Sequence, residues 1–289
     1  MKFLVCLDGS PRSLTVLPHA ARLAAAVGAE LQLTRVLDPR VDAAGIVTPD
    51  LEGALARVET DWKAELQTLL ASSGVPGSVS VVRRDWSKEI ADAISACAQA
   101  ESASLIALSS RGSGAIRHAL LGSVAMGVIS RGAAPILAAG ARIGPPASGR
   151  DGYHLVVTSD GSADALSVFG GLRPLLAGGK LRVTLLEVVV PALKEPEPAA
   201  KSRVTESLTA LLPRLPEGVP AGIEVRTVPP GAGIDTAILA AAAELGADAV
   251  AMATHGHSAR RHLVAGSTAL GVLGMAEIPV ILVKSRPVA

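Results

Sequence analysis

The sequence predicts an α/β protein made of two similar domains, each a parallel sheet with helices on both faces. Three observations favour this class: the chain repeats itself, strand-like apolar runs alternate with alanine-rich helical stretches, and aromatic residues are scarce. Hydrophobic residues make up 49% of the 289 residues and aromatic residues 2%, so aliphatic side chains must build the core. Strands buried between two helical layers consist of continuous apolar runs. This explains the composition without a membrane-spanning segment, which needs about 18 uncharged apolar residues in a row.

The repeat predicts the domain organisation. A shift of 144 residues places residues 104–138 over residues 248–282. The identical pairs include Gly112 with Gly256, Arg117 with Arg261, His118 with His262, Gly122 with Gly266, Ser123 with Ser267, and Pro135 with Pro279. At the start of each half, residues 4–10 correspond to residues 155–162, with one more residue before the acid in the second half. Residues 144–151 are typical of a linker, so we predict domains at residues 1–143 and 152–289.

Alternating strand and helix patterns predict a parallel sheet in each half. In the first half we expect strands near residues 2–7, 30–37, 78–84, 104–109 and 135–138, and helices near 13–27, 51–72, 87–100 and 122–131. In the second half we expect strands near residues 153–159, 180–190, 222–228, 248–254 and 279–283, and helices near 163–177, 201–212, 232–245 and 266–276. The Pro-rich residues 191–198 indicate a surface excursion.

Charge and cysteine content exclude some functions. The formal net charge is +1, which gives no electrostatic reason to expect nucleic acid or an anionic membrane as a partner. Cys6 and Cys97 are far apart in apolar contexts, without neighbours at metal-binding spacing. We interpret both as buried thiols in a reducing compartment, and the apolar stretch at the N-terminus is too short for a signal peptide. These features predict a cytoplasmic protein.

A glycine-spaced loop follows the fourth strand of each half. In the first half Gly112, nine further residues and then Gly122 and Ser123 close a loop and open a helix. The second half repeats this spacing with Gly256, Gly266 and Ser267. A helix N-terminus carries unpaired N–H groups and a partial positive charge, which suit a phosphate. The loops also carry basic side chains and no carboxylate: Arg111, Arg117 and His118, and then His255, His257, Arg260, Arg261 and His262.

Both loops resemble the nucleotide loop of the universal stress protein family. The family pattern is Gly, two residues, Gly, nine residues, Gly, then Ser or Thr. The second and third glycines are present in both halves, whereas Ser109 and Ala253 replace the first. The resemblance covers essentially the whole chain, twice. It implies a tandem universal stress protein that binds ATP and acts as a nucleotide-dependent regulator in stress adaptation.

The resemblance also implies a geometry. Each half would be a doubly wound, five-stranded parallel sheet of order 3-2-1-4-5, with a ligand at the switch point between strands 1 and 4. Asp8 and Asp160 would accept a hydrogen bond from the adenine side, and Val36 and Val188 would offer backbone contacts to the base. The neighbouring residues Ser10, Ser109, Ser162 and Ala253 belong to the same expected site. Any Mg²⁺ would be held by the phosphates.

Family domains commonly pair through their last strands, which implies that residues 136–137 meet residues 280–282. This pairing would make the chain an intramolecular pseudo-dimer. The repeat and the linker at Pro145 and Pro146 predict two similar five-stranded parallel domains related by a pseudo-two-fold axis, rather than one continuous ten-stranded sheet with a single core order. A further homodimer and an unidentified protein partner stay open.

Alternatives compete with these expectations. Asp8 and Asp160 could simply be helix N-cap residues, and His118 and His262 could be solvated loop residues. The protein could have lost the nucleotide and act as a scaffold. It could also be a slow ATPase, but an efficient one needs a metal-binding acid and a positioned base, and neither loop contains an acid. We therefore favour binding over catalysis.

Overall fold

A computed structural model describes residues 1–42, 50–110, 121–149, 152–254 and 265–285. The elements of the first half are β1 (Lys2–Cys6), α1 (Pro11–Leu14), α2 (Leu17–Val27), β2 (Glu30–Leu37), α3 (Pro39–Asp42), α4 (Leu51–Ser73), β3 (Gly77–Arg83), α5 (Ile90–Ala100), β4 (Leu105–Ser109), α6 (Ser123–Arg131) and β5 (Ile136–Ala139). Those of the second half are β6 (Tyr153–Thr158), α7 (Ala163–Leu176), β7 (Leu181–Val189), α8 (Glu197–Thr209), a 3₁₀ turn (Leu212–Arg214), β8 (Ala221–Thr227), α9 (Ile234–Glu244), β9 (Ala249–Ala253), α10 (Ser267–Met275) and β10 (Val280–Val283).

The strands confirm the predicted α/β class. Each half has the order 3-2-1-4-5, and all strand pairs within a half are parallel. The expectation of two separate sheets is wrong, because the strand order runs without a break as β3-β2-β1-β4-β5-β10-β9-β6-β7-β8. The last strands β5 and β10 pair through their backbones and join the halves into one ten-stranded sheet.

The junction between β5 and β10 has two-fold symmetry. The strands are antiparallel, with Ile136 opposite Leu282, Leu137 opposite Ile281 and Ala138 opposite Val280. Leu137 and Ile281 are equivalent residues of the repeat, so a local two-fold axis passes through this pair. The expected meeting of the last strands is therefore confirmed.

The sheet register corrects the alignment of the two amino-terminal ends. Phe3 pairs with Leu105 and Leu155 with Ala249, so Phe3 rather than Leu4 corresponds to Leu155. No extra residue precedes the acid of the second half, and Asp8 corresponds directly to Asp160. Sequence similarity placed the gap wrongly because both strands are runs of interchangeable aliphatic residues.

Two helical segments differ from the prediction. The helix expected at residues 13–27 is two helices, since α1 ends at Leu14 and Pro18 lies in the first turn of α2. Helix α8 begins at Glu197 rather than at residue 201, with Pro196 as its N-cap and Pro198 in its first turn. Proline is tolerated in a first helical turn because the N–H that it lacks has no intrahelical acceptor there.

The hydrophobic core forms two layers, and each layer includes residues of both halves. One layer joins α2 and α4 to α7 and α8, and the other joins α5 and α6 to α9 and α10. We call these layers face A and face B. Right-handed crossovers account for this division. The connections from β1 to β2 and from β2 to β3 run towards one edge of the sheet, whereas those from β3 to β4 and from β4 to β5 run towards the other. Crossovers of one hand that run in opposite directions put their helices on opposite faces.

Helix α2 also contacts the second half through polar groups. Arg22 pairs with Asp248 at 3.0 Å, and the Asp248 side chain is only 4% exposed. The other Asp248 carboxylate oxygen accepts a hydrogen bond of 2.7 Å from the His154 N–H. Near the end of α2, the Lys180 N–H donates to the Ala26 carbonyl at 2.9 Å. The halves are therefore connected by charged and backbone contacts as well as by the sheet.

We expect the free energy of unfolding to fall as the pH drops below about 6.5. Burial is the main cause that lowers the pKa of both His19 and His154 from the ordinary value of 6.5. Between the histidine pKa values of the folded and the unfolded chain, the unfolded chain binds more protons. The free energy of unfolding therefore has its full value above pH 6.5 and decreases below it. The slope is limited to about 1.4 kcal/mol per pH unit for each histidine. Urea unfolding at pH 7.5 and 5.5 measures it, and His154→Gln should flatten the dependence. Equal loss in the variant would contradict the assignment to His154.

Candidate functional site

A cavity of about 310 Å³ lies at the carboxyl ends of β6, β7 and β9 in the second half. Strand β6 pairs with β7 on one side and with β9 on the other, which is the switch point where open α/β sheets bind ligands. Five predicted site residues line this cavity: Asp160, Val188, Ala253, Gly266 and Ser267. The structure thus brings together side chains and backbone from four separate elements that the sequence placed in one site.

Ten further lining residues were not predicted. They are Thr158, Ser159, Ala165, Leu186, Ile234, Ile238, Met252, Thr254, Thr268 and Ala269. Most are apolar and come from face B, so the cavity has an apolar floor beside a polar edge. Thr254 could have been found from the repeat, because Ser110 stands at the equivalent position and both are buried.

The Asp-Gly-Ser segment after the first strand forms the same turn in both halves. The Ser10 N–H donates to Asp8 Oδ1 at 2.9 Å, and the Ser162 N–H donates to Asp160 Oδ1 at 3.1 Å. The N-cap residues of α1 and α7 are Ser10 and Ser162, whose hydroxyl oxygens accept hydrogen bonds from the backbone N–H groups of Ser13 and Ala165. The alternative that the aspartates are N-caps is therefore wrong. Their carboxylates instead accept from the N–H groups of the N-cap residues Ser10 and Ser162 and so stabilise the turn before each helix.

Helices α6 and α10 begin at the predicted glycines. Gly122 and Gly266 are their N-caps, with φ of −72° and −68°, and no side chain caps either helix. The Gly122 N–H donates to Ser110 O at 2.7 Å and the Gly266 N–H to Thr254 O at 2.6 Å. These two N–H groups already donate within the protein, and the assignment of Gly122 and Gly266 to a phosphate site stays a prediction. The open donors are those of the following helical turn, which no backbone carbonyl of the helix can satisfy.

The first-half residues stand at matching positions. Ser109 and Ala253 are the last residues of β4 and β9, and Val36 and Val188 are equivalent residues of β2 and β7. Gly122 and Ser123 open α6 as Gly266 and Ser267 open α10. The predicted Gly112 and Gly256, with the basic residues of their loops, lie outside the described residues.

Residues specific to the first half surround its Asp-Gly-Ser turn. The Arg35 guanidinium lies against Gly9, 3.6 Å from the centre of the Trp62 ring, and pairs with Glu65 at 3.3 Å. The equivalent residue of the second half is Glu187. The guanidinium beside Gly9 therefore has no arginine counterpart in the second half, where a Cβ added at Gly161 would meet nothing within 4 Å.

The cysteines and metal-type ligands fit no metal centre in the part of the chain that is described. Among these residues no group of three or more His, Cys, Asp or Glu could hold a metal ion. Cys6 and Cys97 are free and half-buried, and desolvation raises the pKa of both thiols. Raised thiol pKa values oppose thiolate formation. Over the same described ranges, no helix is long and apolar enough to cross a membrane.

Comparisons with known proteins agree with this architecture. A profile of the Universal stress protein family matches residues 1–139 and 153–284. A universal stress protein from Archaeoglobus fulgidus DSM 4304 is similar over 99% of this chain and 97% of its own, with 19% identity and a TM-score of 0.62. A putative universal stress protein from Pseudomonas aeruginosa UCBPP-PA14 is similar over 98% and 93%, with 18% identity and a TM-score of 0.58. These likenesses show the fold. No curated protein sequence matches the chain.

Proposed function

Because the chain belongs to the universal stress protein family, we propose that it binds ATP and acts as a nucleotide-dependent regulator in stress adaptation in the cytoplasm. The observation that carries this proposal is the second-half cavity, where an apolar floor meets the uncapped N-terminus of α10. A pocket that combines apolar lining with a few convergent polar groups is typical of a small-molecule site. The equivalent first-half residues support a second site.

The phosphates would lie at the first turn of α10 and, in the first half, of α6. Gly122 and Gly266 have φ values that any residue can adopt, so their backbone conformation does not require glycine. What glycine supplies there is the absence of a side chain. A capping Ser or Asp would accept from the open N–H groups itself, whereas glycine leaves these donors and the helix dipole to an anion.

The base would lie at the opposite end of the cavity. Val188 and Leu186 of β7 and Ile238 of α9 form an apolar surface there, and Asp160 lies at the cavity edge. An adenine ring would be buried against the aliphatic side chains, and its amino group would find backbone or carboxylate acceptors at the strand ends. Any Mg²⁺ would be held mainly by the phosphates.

Binding is tested with ATP and two glycine variants. We expect ATP to raise the melting temperature progressively with its concentration. Gly122→Val and Gly266→Val should each weaken ATP binding at one half about tenfold or more, because the valine side chain blocks donors worth about 1.5–3 kcal/mol each to a charged acceptor. Calorimetry gives affinity and stoichiometry, and circular dichroism checks that both variants stay folded.

Other outcomes favour the competing functions. Absence of both a thermal shift and a co-purified nucleotide would favour the nucleotide-free scaffold. With two Trp and one Tyr in the chain, bound adenine would be visible as excess absorbance near 260 nm. For the regulator we expect phosphate release well below the ~1 s⁻¹ lower end of typical turnover. Faster release that a single loop substitution abolishes would favour an ATPase.

A further inference from the structure

The start of α10 differs from the start of α6 at a position that lines the cavity. Thr268, the second residue of α10, is one of the lining residues of the second-half cavity. Val124 is the second residue of α6 and packs against the core of face B. The residue before each is a serine, Ser267 in α10 and Ser123 in α6. The helix start of the second half therefore carries one hydroxyl group more than that of the first half.

The Thr268 hydroxyl makes no hydrogen bond within the described part of the chain. Three other helical threonines donate to the carbonyl oxygen four residues earlier, at 2.7–3.1 Å; these are Thr60, Thr68 and Thr209. Such bonds are a common use of a threonine hydroxyl inside a helix. Thr268 instead lies in the first turn of α10, beside N–H groups that no helical carbonyl can satisfy. Its hydroxyl is thus a further donor at the same end of the cavity.

Two other hydroxyls of the second-half cavity are absent from the first half, but both are used within the protein. The strand register puts Cys6 and Leu7 at the positions of Thr158 and Ser159. The Thr158 hydroxyl donates to a carbonyl oxygen of β9 at 3.5 Å, and the Ser159 hydroxyl accepts from an N–H of the turn that follows at 3.1 Å. Neither hydroxyl belongs to the helix start at which we place the phosphates.

The first half has hydroxyl groups at three positions where the second-half cavity is apolar. They are Ser13, Thr34 and Ser109, which stand at the positions of Ala165, Leu186 and Ala253. The Ser13 hydroxyl donates to Ser10 O at 2.9 Å, and the Thr34 hydroxyl shares a hydrogen bond of 2.9 Å with Ser80. Ser109 also has a partner. None of the three lies on α6, so none replaces a hydroxyl at the helix start.

We propose that Thr268 is a phosphate-binding residue of the second half, and that its contact makes this half the tighter of the two ATP sites. The inference rests on the proposed nucleotide function, which puts the phosphates at the first turn of α10. A hydroxyl that donates to an anionic phosphate oxygen makes a charge-assisted hydrogen bond, which is stronger than a bond between neutral groups. The aliphatic side chain of Val124 has no donor for this contact.

The test compares ATP and adenosine on the full chain by calorimetry, with the variants Thr268→Val and Thr268→Ser. Thr268→Val copies the residue of α6 and removes the hydroxyl with little change in side-chain shape. It should weaken ATP binding at the tighter site about tenfold or more, the effect of losing one hydrogen bond to a charged acceptor. Adenosine has no phosphate, so its affinity should stay unchanged. Thr268→Ser keeps the hydroxyl and should retain most of the ATP affinity.

The outcomes separate this inference from the proposed function. An unchanged ATP affinity in folded Thr268→Val, or an equal loss for ATP and adenosine, would overturn the phosphate contact and leave the nucleotide function standing. A loss confined to the weaker of two ATP sites would contradict the ranking of the halves. If the unsubstituted chain binds no nucleotide, both proposals fail. A loss for ATP alone would support the inference, since a general disturbance of α10 would weaken adenosine binding as well.

Discussion

The variant Gly179→Ala is expected to lower the free energy of unfolding by about 3 kcal/mol. Gly179 has φ of +85°, which costs an alanine about 1–2 kcal/mol. Its Cβ would also clash with the Ala26 carbonyl oxygen and lie 2.8 Å from Val27 Cα. Both atoms are backbone atoms at the end of α2, so they cannot rotate away as a side chain could, and overpacking adds about 1–3 kcal/mol.

Gly218→Ala is the matched control. Gly218 has φ of +83°, and an added Cβ would meet nothing within 4 Å. It should therefore show only the conformational cost, about 1–2 kcal/mol. Urea unfolding of both variants gives the difference, which measures how closely the end of α2 approaches the second half. Equal losses would mean that this approach is looser in solution.

The second large effect is expected at the ion pair between Arg22 and Asp248. Arg22→Met should lower the free energy of unfolding by about 3 kcal/mol, because it leaves a buried carboxylate without its cationic partner. Arg22 also contacts the Gly152 carbonyl at 3.3 Å and lies 5.9 Å from the centre of the Tyr153 ring. The substitution thus removes a contact between the halves together with the charge balance.

The first half provides the control for this prediction. Ser104 stands where the second half has Asp248, and its N–H makes the same backbone hydrogen bond, to Lys2 O at 2.9 Å. Adding Asp248→Ser to Arg22→Met removes the unpaired charge and should recover most of the loss. If the double variant is no more stable than Arg22→Met in urea unfolding, then desolvation of the Asp248 carboxylate is not the cause.

Five of the cavity residues were predictable because they recur at fixed positions in both halves, whereas the ten further lining residues were not predicted. The repeat marked Gly122 and Gly266 as helix starts, and the strand order places Asp160 beside Gly266 at the switch point. The sequence did not predict which N–H groups at the helix starts are already hydrogen-bonded. The N–H groups of Gly122 and Gly266 donate to the carbonyl oxygens of Ser110 and Thr254, and this pairing depends on the tertiary position of each helix start beside the end of the preceding strand. That residues 1–143 and 152–289 act as separate domains stays a prediction.

The pairing of Arg84 with Asp38 was also beyond sequence reasoning. Both residues follow ordinary strands, and neither belongs to the repeat pattern, because valines occupy their positions in the second half. Charged residues after strands are usually solvated. Only the structure shows that these two side chains are buried and that Arg84 Nη1 lies 3.1 Å from Asp38 Oδ2.

The sequence by itself determined the fold class, the duplication, the strand order that the family resemblance implies, and the last strands as the place where the halves meet. These are local or periodic properties: apolar runs, helix-compatible stretches and glycines at repeated spacing. The tertiary structure decided the register of β1 and β6, the continuity of the ten-stranded sheet and the contacts of α2 with the second half. Each of these depends on which backbone groups face each other across the fold, and aliphatic strands of similar composition do not encode that choice locally.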